Sequence, residues 1–285
     1  MTPASRRQGG YAVRAGDPPP DPEPLASPAL DSHCHLDLMA ETVAEVVARA
    51  QSVGIARLVT VGVDVPTSRW QVDTAAEHDH VYAAVAIHPN EAHSADDAAW
   101  AQIATLATDP KVVAVGETGL DHYRTPSEGW VQQEESFRRH IAIAKQSNKA
   151  LVIHDRDAHD DVLHVLASEG APRHVVFHCF SGDADFARRC VDAGYVLSFA
   201  GNVTFKNAED LRSAAAVTPL DQLLVETDAP FLTPMPHRGR PNAPYLIPLT
   251  VRALAAVKSV SVDEIALGVT ATADRVFGWG PVTWG

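Results

Sequence analysis

Eight short runs of apolar, largely β-branched residues recur along this chain, and stretches with helical spacing separate them. The runs are Leu30–His35, Arg57–Val63, Val81–His88, Val112–Glu117, Ala150–His154, His174–His178, Tyr195–Ala200 and Leu223–Asp228. Apolar runs of this kind suit strands buried on both faces, the condition of a parallel sheet covered by helices. Between them, Val43, Val46, Val47 and Ala50 share one helical face that Gly54 stops. Phe137, Ile141 and Ala144 repeat the pattern, as do Phe186, Cys190 and Val191 ahead of Gly194, and Ser261 with Glu264 forms a capping box for a last helix through Ile265 and Val269. Alternating β and α units build an α/β fold that either stays open and doubly wound or closes. Eight units over about 250 residues favour closure into a (β/α)8 TIM barrel. No linker interrupts the interior, so residues 29–285 are expected to form one domain. Residues 1–28, with the run Asp17-Pro18-Pro19-Pro20-Asp21-Pro22-Glu23-Pro24, lack bulky apolar groups and are expected to be a disordered tail.

The formal net charge of −13 bears on partners. Broad, non-specific nucleic-acid binding needs a basic surface, so a polyanionic substrate would have to meet a local focus of positive charge, such as metal and a few arginines. Cys34, Cys179 and Cys190 form no CxxC pair and fit reduced thiols; Cys34 and Cys179 are expected to fill core. No apolar run approaches the roughly 20 residues of a membrane span, and the start lacks the apolar segment of a signal peptide. The expectation is a cytoplasmic monomer with no membrane partner.

The chemistry gathers at the C-terminal ends of the runs. The first ends in Asp31-Ser32-His33-Cys34-His35, the third in His88-Pro89 and the fourth in Gly116-Glu117-Thr118-Gly119-Leu120-Asp121. The fifth ends in His154-Asp155-Arg156, the sixth in His178-Cys179-Phe180-Ser181-Gly182, the eighth in Glu226-Thr227-Asp228-Ala229-Pro230. Residues i and i+2 of a strand face the same way, so His33 and His35 can enter a barrel mouth together. Active sites of such barrels lie at that edge. An HxH pair alone is weak evidence, but this many imidazoles and carboxylates buried together would be costly without a metal. The ligand number suits two divalent ions: His33, His35 and Asp228 around one, His154 and His178 around the other, and Glu117 bridging both. Such a pair activates water and stabilises charge on attacked and leaving oxygens. Asp228 then serves either as the proton acceptor or purely as a ligand. Zn²⁺ suits the imidazoles, and the carboxylates also admit Mg²⁺ or Mn²⁺.

Taken in order and spacing from Asp31 to about Gly278, these motifs resemble the TatD family of metal-dependent deoxyribonucleases, within the amidohydrolase-like barrels. The resemblance rests on Asp31 to Asp37, Gly116 to Asp121, His154 to Arg156, His178 to Gly182 and Glu226 to Leu232. It implies an exonuclease or repair-type nuclease acting on DNA, with His33, His35, Glu117, His154, His178 and Asp228 as ligands. It also implies that glutamate stands where many related amidohydrolases carry a carbamylated lysine. Departures fall in Arg238-Gly239-Arg240-Pro241-Asn242-Ala243-Pro244, which lacks one basic and one acidic residue of the family's usual run, and at Thr272, where asparagine is usual. They bear on substrate range and loop position and touch no ligand.

Arg156 shares a strand face with His154 and is a candidate phosphate contact, because its planar fork can bond two oxygens. Arg238, Arg240 and Lys206 are further candidates, with exposed, inactive charges as the plain alternative. His88 reads either as a substrate contact or as a packed, hydrogen-bonded histidine. Tyr123 and Arg124 could line the mouth. Aromatic residues make up only 6% of the chain, so a long stacking surface is not expected and processing from a strand end or nick is favoured. Two rivals remain: a metal-dependent amidohydrolase-type enzyme cutting a small amide or ester, and a non-catalytic metal-binding scaffold.

Overall fold

The computed structural model describes residues 16–280, and each of the eight runs overlaps a strand. These are β1 (Ala29–Cys34), β2 (Ile55–Val61), β3 (Val81–Val85), β4 (Val112–Asp121), β5 (Ala150–Arg156), β6 (Val175–Phe177), β7 (Val196–Phe199) and β8 (Leu223–Val225). They pair in parallel in sequence order. One α-helix follows each of the first seven strands: α1 (Val43–Ser52), α2 (Val65–Glu77), α3 (Asp97–Leu106), α4 (Trp130–Ser147), α5 (His159–Glu169), α6 (Ala184–Asp192) and α7 (Glu209–Val217). Two more, α8 (Ile247–Lys258) and α9 (Val262–Phe277), follow β8. The Ser261–Glu264 capping box forms at the start of α9. This is the TIM barrel the alternation predicted.

The barrel closes where β1 meets the end of β8. Cys34 and Ala229 form a parallel bridge, the His35 N–H donates to the Ala229 carbonyl at 2.8 Å, and the Asp228 N–H donates to the His33 carbonyl at 2.9 Å. Asp31, fully buried, accepts from the Thr227 N–H (2.9 Å) and hydroxyl (2.5 Å). Burial pushes the Asp31 carboxyl up to about 8, against the pull of those Thr227 bonds. The seam therefore holds the termini of two strands that both carry candidate ligands.

Several runs leave the ladder before their polar ends. His88, His178 and Asp228 stand just beyond their strands, each tied to a neighbour by one backbone bond: to Val63 (2.8 Å), Ile153 (3.0 Å) and His33 (2.9 Å). Strand β4 does the opposite and continues past Glu117 to Asp121. Its glycines, which read as strand breakers, instead let β4 and β5 approach closely: a Cβ on Gly119, whose φ is +133°, would lie 2.2 Å from the His154 carbonyl oxygen.

The expected disordered tail needs correction. Residues 1–15 lie outside the described residues, but residues 16–28 run along the barrel. Arg240 donates to the carbonyls of Asp17 (2.9 Å) and Pro18 (2.8 Å), and Arg49 and the Tyr245 hydroxyl both donate to that of Pro19 (3.0 and 2.6 Å). Arg252 donates to the Glu23 carbonyl at 2.7 Å, Asp21 pairs with Arg49 at 2.6 Å, and Leu25 is buried. A proline-rich backbone keeps its carbonyls unbonded within the chain, and the barrel's arginines use them.

No single helix among the described residues is long and apolar enough to cross a membrane.

Candidate metal centre

Four imidazoles and two carboxylates converge at the C-terminal mouth of the barrel. The two oxygens of Glu117 divide them. Its Oε1 lies 3.8 Å from His33 Nε2 and 3.7 Å from His35 Nε2, while Asp228 Oδ1 lies 4.0 and 3.6 Å from the same nitrogens. Its Oε2 lies 3.2 Å from His154 Nδ1 and 2.8 Å from His178 Nε2. Two ligands about 2.0–2.2 Å from one tetrahedral ion stand roughly 3.3–3.6 Å apart, and these separations bracket that value.

His33 supplies the clearest test of fit. Both its ring nitrogens are buried with no hydrogen-bond partner among the described residues. Burial, with the nearby His178, holds its pKa well below the ordinary histidine value, so the ring is neutral. A buried lone pair without a partner is costly, and the neutral ring is the form that binds metal. The donor set of imidazoles and carboxylates fits divalent Zn, Mg or Mn.

Around the six lies a ring of supporting groups. Burial would raise the pKa of Glu117, but the charge of His178, with hydrogen bonds from His154 and His178, outweighs it and keeps the carboxylate well below the usual range. Asp121 Oδ2 contacts His154 Nε2 at 3.3 Å, leaving Nδ1 turned to Glu117. Glu226 Oε1 faces His178 Nδ1 at 3.2 Å and accepts from the Cys179 N–H at 2.7 Å, leaving His178 Nε2 turned to Glu117. His35 Nδ1 lies 3.1 Å from the Val61 carbonyl, which takes its proton and turns Nε2 inward. His35, His154 and His178 are thus each aimed by what the second nitrogen touches, whereas His33 has no such partner among the described residues.

Asp121 and Glu226 are supporting residues that the strand-end motifs alone do not single out. Glu226 sits two residues from Asp228, and Asp121 four from Glu117, so strand parity could have marked both. Ending β4 at Glu117 hid Asp121.

Glu226→Gln keeps the shape of the group that aims His178 and removes its charge. Affinity for the more weakly held ion, measured by chelator competition, is expected to fall about tenfold, the lower end of such supporting-residue effects. Unchanged affinity would mean that Glu226 only fills space.

A cavity of about 600 Å³ opens over the cluster, lined by His35, His88, Glu117, His154, His178 and Asp228. His88 Nε2 is 3.7 Å from Glu117 Oε2, so with His154 and Glu117 it forms a further set of donor atoms within reach of one ion. Its Nδ1, however, accepts the Asn90 N–H at 3.0 Å, and burial pulls the ring down to about 3. The neutral ring then carries its proton on Nε2 and presents a donor, which suits a substrate oxygen better than a cation. Arg156 lines the same cavity with its guanidinium 4.1 Å from the centre of the Tyr123 ring, and makes no side-chain hydrogen bond among the described residues.

The other expected phosphate contacts lie elsewhere. Arg240 is committed to the Asp17 and Pro18 carbonyls, Arg238 rests 4.3 Å over the Phe205 ring, and Lys206 is exposed away from the cavity lining. Arg212 draws the segment after β7 back toward α7 by donating to the carbonyls of Phe205 (2.6 Å) and Lys206 (3.3 Å). Cys34 fills core as expected, but Cys179 lines the cavity: β6 has ended at Phe177, and a φ of 44° at Cys179 breaks the strand alternation.

Three comparisons bear on this site. A family model described as TatD related DNase matches residues 30–278. The Mycobacterium tuberculosis protein named "Uncharacterized metal-dependent hydrolase TatD" is 50% identical over 260 residues, covering 88% of this chain and 98% of that protein. The Bacillus subtilis metal-dependent hydrolase YabD is 40% identical over 252 residues, covering 87% and 98%. The crystal structure of YJJV, a TatD homologue of Escherichia coli, superposes with a TM-score of 0.83 at 28% identity, covering 88% of this chain and 98% of that one.

Proposed function

The chain belongs to the TatD-related DNase family and is a metal-dependent hydrolase, and from that premise we propose that it cleaves phosphodiester bonds in DNA, working from a strand end. The observation that carries the choice of phosphate is Arg156. A guanidinium whose donors engage no described residue, at the wall of a cavity lined by five of the six candidate ligand side chains, is suited to the paired oxygens of a phosphate.

In this reading His33, His35, Asp228 and Glu117 Oε1 would hold one divalent cation, and His154, His178 and Glu117 Oε2 the second. Bound there, the two ions would lower the pKa of a water and offset the charge growing on the phosphate oxygens. Arg156 orients the phosphate through its fork, and the His88 Nε2–H donates to a substrate oxygen. Asp228 takes the proton of the attacking water. The negative charge of the whole chain makes attraction local, so a single phosphate at a time is gripped. Three free cysteines suit the reducing cytoplasm, and a monomer suffices because every group named comes from one chain.

One observation favours a small amide or ester instead: Asp64, Glu91 and Asp155 also line the cavity and would repel a polyanion. The test offers protein loaded with Mn²⁺, Mg²⁺ or Zn²⁺ an end-labelled oligodeoxynucleotide beside small amides and phosphotriesters. Oligonucleotide shortening is expected, and amide turnover without it would reverse the reading. In the same assay Arg156→Ala should lower kcat/KM on DNA by roughly 10- to 100-fold, the worth of a charged hydrogen bond, with metal content unchanged. Equal loss of metal would make Arg156 structural.

A further inference from the structure

The segment leading from β4 into α4 stands out for what it leaves in water. Four large apolar side chains are notably exposed among the described residues: Tyr123, Trp130, Val131 and Leu267. The first three belong to this segment. Trp130 has partners: its Nε1–H donates to the Thr125 carbonyl at 2.9 Å and its ring stacks on His122 at 3.8 Å. Tyr123 is different. It is 65% exposed, its hydroxyl makes no hydrogen bond among the described residues, and one face of its ring is covered by Arg156.

Resting on the DNase reading above, we propose that the open face of Tyr123 is the platform on which the unpaired base next to the scissile phosphate stacks. Three features join at this ring. Arg156 lies 4.1 Å from its centre and also lines the cavity, so phosphate and base subsites are within the reach of one nucleotide. A guanidinium stacked by its face keeps its N–H edges free for phosphate. Arg124, the next residue, lines the cavity as well, so the aromatic ring is flanked by positive charge, the combination single-stranded DNA binds.

Asp121 ties this platform to the metal centre. Its Oδ1 accepts the N–H groups of Tyr123 (3.1 Å) and Arg124 (2.8 Å), while its Oδ2 contacts His154 Nε2 at 3.3 Å. One carboxylate thus fixes both the loop that would receive the base and the orientation of a candidate ligand. Stacking is indifferent to base identity, because every base has a π-face. A single ring also explains how a chain with few aromatic residues and a negative charge could hold a strand end without a long groove.

The test is a cycle between protein and substrate. Single-stranded oligodeoxynucleotides carrying a normal or an abasic terminal nucleotide, at either end, are offered to wild type, Tyr123→Ala and Tyr123→Phe. Wild type is expected to lose about tenfold in kcat/KM when the base is absent from the end it attacks, the scale of one base–aromatic stack. Tyr123→Ala should show that loss already on the normal strand and almost none further on the abasic one. Tyr123→Phe should behave as wild type. If Tyr123→Ala keeps the wild-type ratio between the two substrates, the platform is refuted while the DNase reading stands. If wild type cleaves no oligonucleotide, the DNase reading fails and the platform with it.

Discussion

Glu117→Ala is expected to abolish turnover and to loosen both cations together. The two oxygens of this one side chain face different donor groups, Oε1 toward His33 and His35 and Oε2 toward His154 and His178. Truncation removes a ligand from each group at once, and with it the negative charge shared between the two groups of imidazoles. Even residues that merely support a ligand are worth about 10- to 100-fold in metal affinity, so loss of a shared ligand should cost at least about a hundredfold at both positions. Metal content after dialysis and turnover on DNA read the two effects separately. Near-normal activity, or release of a single ion with the other still tightly held, would remove the shared-ligand arrangement.

Gly119→Ala should produce the largest loss of stability of any single methyl group added to the barrel mouth. The residue sits at φ +133°, and the added carbon would meet the backbone oxygen of His154 at 2.2 Å. Conformational strain of this kind costs about 1–3 kcal/mol and forced overpacking about 1–3 more. The contact is with backbone, so no side chain can swing aside to relieve it. Denaturant unfolding is expected to show about 2–6 kcal/mol of destabilisation, with metal affinity reduced because β5 and its His154 are pushed outward. A midpoint equal to wild type would mean that β4 and β5 separate there without penalty.

What the sequence made legible follows from the strength of each signal. The barrel was visible because both-face burial leaves continuous apolar runs, and these survive small errors in where each strand stops. The convergence of His33, His35, Glu117, His154, His178 and Asp228 was visible because so many titratable side chains terminating apolar runs are costly to bury unless they act together. Asp121 stood in the fourth strand-end motif without a role, because its place beside His154 depends on β4 continuing past Glu117 along β5. The commitment of Arg240 could not be read, because its partners are backbone carbonyls, which every residue has and no pattern marks. The same holds for the turn of Lys206 toward α7, made by Arg212 on backbone carbonyls, while Arg238 against the Phe205 ring depends on the fold bringing two distant segments together.

The segment from Asp17 to Pro24 illustrates where such information is stored. Arg49, Arg240, Arg252 and Tyr245 seize it by carbonyl oxygens, and among its side chains only two charges answer theirs, Asp21 at 2.6 Å from Arg49 and Glu23 at 3.8 Å from Arg252. The lock is cut into the receiving wall and the key is nearly blank. Replacing a proline there by another residue that keeps the extended course should be tolerated more readily than changing any of the four gripping side chains, so variation would accumulate on one side of this contact and constancy on the other.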